Sequence, residues 1–247
     1  MSVKFPVTVG TANYVQFSTD TWKTPPMAFS FWIQAAHDIS TMRTPNWSLP
    51  WVILGDYSQW YRIVAHGFWD AANLCNRLGF EAVNLAGAVT EIYQDFTIQQ
   101  FTTGYWHHAV FQISNTFQMD LYFDGKLHAT SNALGSLNQN SLPLGMRHGT
   151  DQNELYQWDG LLDDFRYYNR VLTANEIATI YACQGADSIF YGAVNRWLYN
   201  EHAANTSVGG FGQVHDFFRN QDNGYTSGSP QYQISQLHIR RKANFFY

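Results

Sequence analysis

Charged side chains are scarce in this 247-residue sequence, at 13% against 17% aromatic. That balance excludes an intrinsically disordered chain, which needs high charge and few aromatics. Lysine occurs four times and glutamate five, while aspartate supplies 14 of the 19 acidic residues. With strong helix formers so rare, and Thr, Tyr, Phe, Val, Asn and Gly plentiful, strands are favoured over surface helices. The net charge of −5 argues against a general nucleic-acid binder, which needs a cationic surface to displace counterions. No run approaches the ~20 apolar residues of a membrane span, and Met1 to Val7 lacks the apolar segment of a signal peptide. We therefore expect synthesis in a cytoplasm without export. On that expectation Cys75 and Cys183 are reduced, buried thiols, and the acceptor patterns at Asn46 and Asn205 stay unglycosylated.

Period-2 alternation fills most of what remains. Phe29, Phe31 and Ile33 share one face of a strand, with Trp32 opposite. Residues 51–54 and 60–64 predict the next pair, followed by strands at 106–113 and 119–123. Asp124 and Gly125 then predict a tight hairpin, because both tolerate positive φ, with 126–130 returning as the partner. After a strand at 160–168 the period changes. Thr173 and Glu176 are spaced as a capping box, in which hydroxyl and carboxylate each satisfy an orphan helix N–H. Leu172, Ile177, Ile180 and Tyr181 fall on one face of the short helix near 173–184, which Gly185 ends. A chain of this length buries enough surface to need neither metal nor disulfide for its core.

The stretch from Trp158 to Ile177 resembles the closing strand, "Asn-Arg-x-Leu" turn and short helix of the laminin-G-like jelly rolls in the concanavalin-A-like lectin/glucanase superfamily. The strand at 29–32, the Trp-His-His-Ala strand at 106–109 and the hairpin at 121–125 follow that family's order. The resemblance implies an all-β fold, an antiparallel two-sheet jelly-roll sandwich over residues 1–187 with one short helix. The family's opening strand is missing from the N-terminus. Residues 196–201, Val214 to Asp216 and Asn223-Gly224 look like that opening, displaced to the C-terminus. We expect residues 188–247 to complete the same sandwich by permutation. A second domain and an arm swapped into a neighbouring subunit are the alternatives.

Some members of the superfamily cleave glycosides, and those enzymes resemble Glu-x-Asp-x-Glu, with carboxylates on one strand face about 5–5.5 Å apart. None of Glu81, Glu91, Glu154, Glu176 and Glu201 has an Asp two positions later. A pair formed across strands would escape that test. Asp163 and Asp164 are adjacent, so they point to opposite faces of a strand. One is expected to be structural and the other solvated. His107 and His108 likewise diverge, and His108 is expected beside Trp106. No zinc, phosphate-cradle or nucleophile-elbow motif is present, although Gly209, Gly210 and Gly212 are close together. Calcium is the one cofactor the resemblance offers, because many relatives bind it at the sandwich rim through Asp and carbonyl oxygens. Asp56, Asp151 and Asp159 are the loop-like candidates.

Two expectations of function follow, neither of them enzymatic. The first is a structural or decorating subunit of a larger assembly, a phage-like virion being the resemblance's implication. Its anchor would be the tail of Arg240, Arg241, Lys242, Phe245, Phe246 and Tyr247, docking on protein subunits or a second copy. The alternative is a lectin-like module for cell-surface glycans. Trp47 and Trp51 in a Pro-bounded loop, and Trp69, would supply stacking surfaces for it.

Overall fold

The computed structural model describes residues 2–5, 14–17, 24–35, 51–56, 63–70, 75–97, 100–101, 104–138, 146–148, 158, 160–198, 211–214, 224–227 and 231–233. These residues form two antiparallel sheets and one helix, as the sequence predicts. The first sheet contains β1 (Ser2–Phe5), β3 (Met27–Ala35), β8 (His107–Ile113), β9 (Met119–Phe123), β10 (Lys126–Ser131), β12 (Gly160–Tyr168), β13 (Ala193–Trp197) and β16 (Gln231–Gln233). The second contains β2 (Tyr14–Phe17), β4 (Trp51–Asp56), β5 (Ile63–Asp70), β6 (Cys75–Val83), β7 (Val89–Phe96), β11 (Met146–His148), β14 (Phe211–Val214) and β15 (Gly224–Ser227). Their orders are β10-β9-β8-β3-β12-β1-β16, with β13 also on β12, and β14-β15-β2-β11-β4-β5-β6-β7.

Alternation explains the core. Phe29, Phe31 and Ile33 turn inward with Phe111, Phe165 and Trp197 of the same sheet, and Ile63, Ala65, Leu78 and Phe80 meet them from the second. Phe80 stacks on Phe111 at 4.9 Å across the two layers, and Phe31 on Phe165 at 5.4 Å within one. Each such ring, fully buried, contributes roughly 1.5–3 kcal/mol. The outer face of the first sheet is also covered. The helix α1 (Ala174–Ala182) lays Ile177 and Ile180 over Ala28, Val110 and Tyr168. That second covering is why β3, β8 and β9 are buried at nearly every position rather than alternately.

Local chemistry fixes the punctuation. Asp124 and Gly125 both adopt positive φ (47° and 78°), the two-residue hairpin turn between β9 and β10. Thr173 and Glu176 close the capping box in both directions. The Arg170 guanidinium beside Glu176 pulls its carboxyl down to about 2.

Four of the described strands come from the last 60 residues. β13 pairs with Phe165–Tyr168 of β12, end to end with β1, which pairs with Gly160–Leu162. β16 lies beside β1, and β15 joins β14 to β2 in the other sheet.

Candidate functional site

The segment from Cys75 to Phe96 makes a hairpin whose inward residues, Leu78, Phe80, Ala82, Ile92 and Phe96, belong to the core. Its turn is held by Asn84, whose Oδ1 accepts the N–H groups of Ala86 and Ala88, while Gly87 takes φ 82°. Pairing is symmetrical about Ala86, so Arg77 faces Asp95, Gly79 faces Tyr93 and Glu81 faces Glu91. On the far side of β6, His66 of β5 lies opposite Gly79. These residues occupy the outward face of the second sheet, because strand residues two apart share a face.

Three donors converge there. His66 Nε2 is 3.2 Å from Glu81 Oε1 and 3.5 Å from Glu91 Oε1. One ligand atom from each of the three residues lies within 4.8 Å of the others. The imidazole is nearly enclosed, whereas the two carboxylates keep 29% and 32% of their side-chain surface, so the cluster opens to solvent on its acidic side. Burial pushes the Glu91 carboxyl up, and Glu81 raises it further. Gly79 makes room for the ring: a Cβ there would lie 2.6 Å from His66 Cε1 and 3.0 Å from Glu91 Oε1.

Next to this cluster Arg77 grips Asp95 through two bonds, Nε to Oδ1 at 2.6 Å and Nη2 to Oδ2 at 2.8 Å. The guanidinium carbon also sits 3.7 Å above the Tyr93 ring, which remains 45% exposed. The carboxylate's hydrogen bonds hold Arg77 even more firmly charged than usual.

Sequence reading passed over all seven of these residues as a group. It screened carboxylates along single strands, and this couple faces across two. The signal was present, since Leu78 to Ala82 and Thr90 to Phe96 both alternate about a Gly-containing turn.

The residues singled out in the sequence stand elsewhere. Trp51 opens β4, opposite Gly67, and Trp69 lies within β5 opposite Asn76. Asp56 ends β4 opposite Met146. Trp47, Asp151, Asp159 and the tail residues Arg240, Arg241, Lys242, Phe245, Phe246 and Tyr247 lie outside the described residues.

Three expectations need correction. Neither Asp163 nor Asp164 is solvated, for both are buried. Asp164, at φ 46°, instead receives Arg166 and Arg196, and Arg166 also binds Asp187. His108 finds its ring partner in Trp32, its cross-strand neighbour, at 5.0 Å, where Trp106 was expected. Its Nε2 also meets Ser30 Oγ at 2.9 Å, and burial drives the imidazole down to about 4. Both cysteines are free, but only Cys75 is buried. Cys183 caps the helix and is partly exposed.

A separate cleft of about 340 Å³ lies between β7, the β9–β10 hairpin and α1, lined by Phe96, Asp124, Lys126, His128 and Tyr181 among others. It shares no residue with the His66 cluster. There Asp124 meets His107 Nδ1 at 2.8 Å and accepts the His108 N–H at 2.9 Å.

Two stacked antiparallel sheets with a polar outer face and, among the described residues, one covering helix define a lectin-type sandwich. The chain belongs to the concanavalin A-like lectin/glucanases superfamily, whose laminin-G-type family model matches residues 9–178. Among solved structures it is similar to a candidate carbohydrate-binding protein of Bacteroides ovatus, with TM-score 0.65 at 14% identity, covering 95% of this chain and 60% of that one. It is also similar to a heptameric SAP-like pentraxin of Limulus polyphemus, with TM-score 0.54 at 18% identity over 74% of this chain and 82% of that one. The receptor-binding domain of botulinum neurotoxin mosaic serotype C/D gives TM-score 0.51 at 16% identity, covering 73% of this chain and 45% of that one. The chain thus spans less than two thirds of the Bacteroides and toxin chains. At these identities the likeness is one of fold. Among curated proteins no sequence matches.

Proposed function

We propose that this protein is a non-catalytic carbohydrate-binding module whose glycan site is the outward face of β5, β6 and β7. The observation that carries the reading is the fixed row of Arg77, Asp95 and Tyr93 beside Glu81 and Glu91. A pyranose offers hydroxyls that donate and accept, and C–H faces that are apolar. Recognition therefore needs rigid acceptors, a rigid donor and an aromatic surface. Asp95 and Glu81 supply lone pairs, Arg77 supplies N–H groups, and the half-exposed Tyr93 ring supplies the surface. The superfamily's lectin membership and the Bacteroides ovatus relative favour the same reading.

Catalysis is the less favoured reading even though Glu81 and Glu91 face each other. A retaining glycosidase needs open space between its carboxylates for the anomeric carbon. Here the imidazole of His66 reaches into the couple, within 3.5 Å of both. Steady turnover of a polysaccharide, lost in Glu81→Gln, would overturn this part.

The last 60 residues we take as part of the same sandwich. The pairing of β13 with β12 and of β15 with β2 supports that. A decorating subunit of a phage-like particle would also use such a face to grip host polysaccharide, but none of the described residues favours that role over a free lectin. Rim calcium has the same standing, since two of its three aspartates lie outside the described residues.

A glycan array followed by titration calorimetry tests the proposal. The expected result is binding to at least one polysaccharide fragment, weakened about tenfold in Tyr93→Ala, the scale of one lost aromatic contact. An array that stays blank with and without added calcium would sink it.

A further inference from the structure

We propose that His66, Glu81 and Glu91 form a binding site for a divalent first-row transition cation, zinc or manganese rather than calcium. The proposal goes beyond the glycan reading and does not depend on it.

Glu81 and Glu91 are direct cross-strand neighbours, and like charges so placed repel. The nearby Arg77 relieves this only in part, because its guanidinium is engaged with Asp95 in a bidentate pair. The site therefore keeps an excess of negative charge at its mouth.

The two His66–glutamate separations, 3.2 and 3.5 Å, exceed the ~2.7–2.9 Å of a charge-assisted hydrogen bond. They bracket the ~3.3 Å edge of a tetrahedron whose metal–ligand bonds are about 2.0–2.1 Å long. The donor set is also selective. One imidazole nitrogen with two carboxylate oxygens suits zinc or manganese, whereas calcium and magnesium take oxygen ligands.

The backbone beneath the cluster points the same way, independently of charge and distance. Gly79 stands at the position of β6 where any side chain would collide with the ring and crowd Glu91. Glycine weakens a strand interior and recurs where close approach is required. Here it leaves a cradle under three converging donors. All three come from adjacent strands of one sheet, so the donors sit on a rigid base, and the partly exposed carboxylates leave an approach from solvent.

The test uses the full chain stripped with chelator, and cobalt(II) as a spectroscopic probe. We expect one equivalent of cobalt to bind and give visible ligand-field absorption, which zinc abolishes by displacement and equimolar calcium leaves intact. Glu91→Gln is the main variant, because its side chain is partly exposed and its fold can be checked by circular dichroism. Binding should weaken at least about tenfold, the scale seen even for residues that merely support metal ligands. Gly79→Ala, filling the cradle, should do the same with every donor intact. Absence of a cobalt spectrum at millimolar metal, or an unchanged spectrum in Glu91→Gln, overturns the proposal. The measurement contains no sugar, and the glycan array is read on chelated protein as well. Loss of one property therefore leaves the other separately judged.

Discussion

The outer faces of the two sheets carry opposite solutions to the same problem. On the first, Asp164, Arg166, Asp187 and Arg196 form a network with as many positive as negative groups, and the Asp164, Arg166 and Asp187 side chains have no solvent exposure. Arg166 donates through Nε and Nη2 to Asp164 and through Nη1 and Nη2 to Asp187, and Gly185 O accepts from both arginines. On the second, two carboxylates share one imidazole at the edge of solvent. Balanced and sealed charges serve architecture, tying β12 and β13 to the segment that follows the helix. Unbalanced and open charges leave work for something from outside.

The largest effect should come from breaking the sealed network. Removing one partner from a buried ionic cluster leaves uncompensated charge and costs about 3–5 kcal/mol. Arg166→Met is expected to lose stability on that scale in denaturant unfolding, because Asp187 loses both guanidinium bonds. A loss below about 1 kcal/mol would mean that water reaches the network and that the contrast between the faces is false.

A second effect sharpens the contrast through pH. His108, behind the same sheet, is buried against Trp32, and burial, with the charge of Arg166 second, lowers it to about 4. The folded state refuses a proton that the unfolded chain accepts at the ordinary histidine value of 6.5. The contribution is therefore complete above pH 6.5 and lost as pH falls toward 4. It amounts to about 3 kcal/mol in all. His108→Gln should flatten this part of the stability–pH curve. An unaltered slope would show that His108 is not the group responsible.

How much of this was legible in the sequence depended on range. Turn and cap chemistry acts over a few residues, so the Asp124-Gly125 hairpin and the Thr173–Glu176 box could be read directly. Alternation located β3, β8 and β9 for the same reason. The burial of Asp164 could not be read, because its partner Arg196 arrives from 32 residues away by way of the helix, as does Asp187, which shares Arg166 with it, from 23. The His66 cluster was hidden by register rather than by distance. Moving β6 by one residue against either neighbour would send Glu81 into the core face and dissolve the site. Nothing in Glu81 or Glu91 alone marks them. Their equal spacing about Ala86 does, once the turn is recognised, and His66 joins only through a second pairing.

The smallest effect is the one that separates the two faces most cleanly. In chelated protein Glu91→Gln removes a directly opposed like charge, a change worth roughly 0.2–1 kcal/mol in favour of the fold. The same kind of change at Asp164 would strip two arginines of an acceptor and destabilise strongly. Saturating zinc should then reverse the order at the open face. Wild type gains about 2.7 kcal/mol at a hundred times the dissociation constant, and the variant gains less. Thermal unfolding of both proteins, with and without zinc, checks the crossing. If Glu91→Gln is the less stable protein in both conditions, and by the same margin, the open cluster is a structural brace like its buried counterpart.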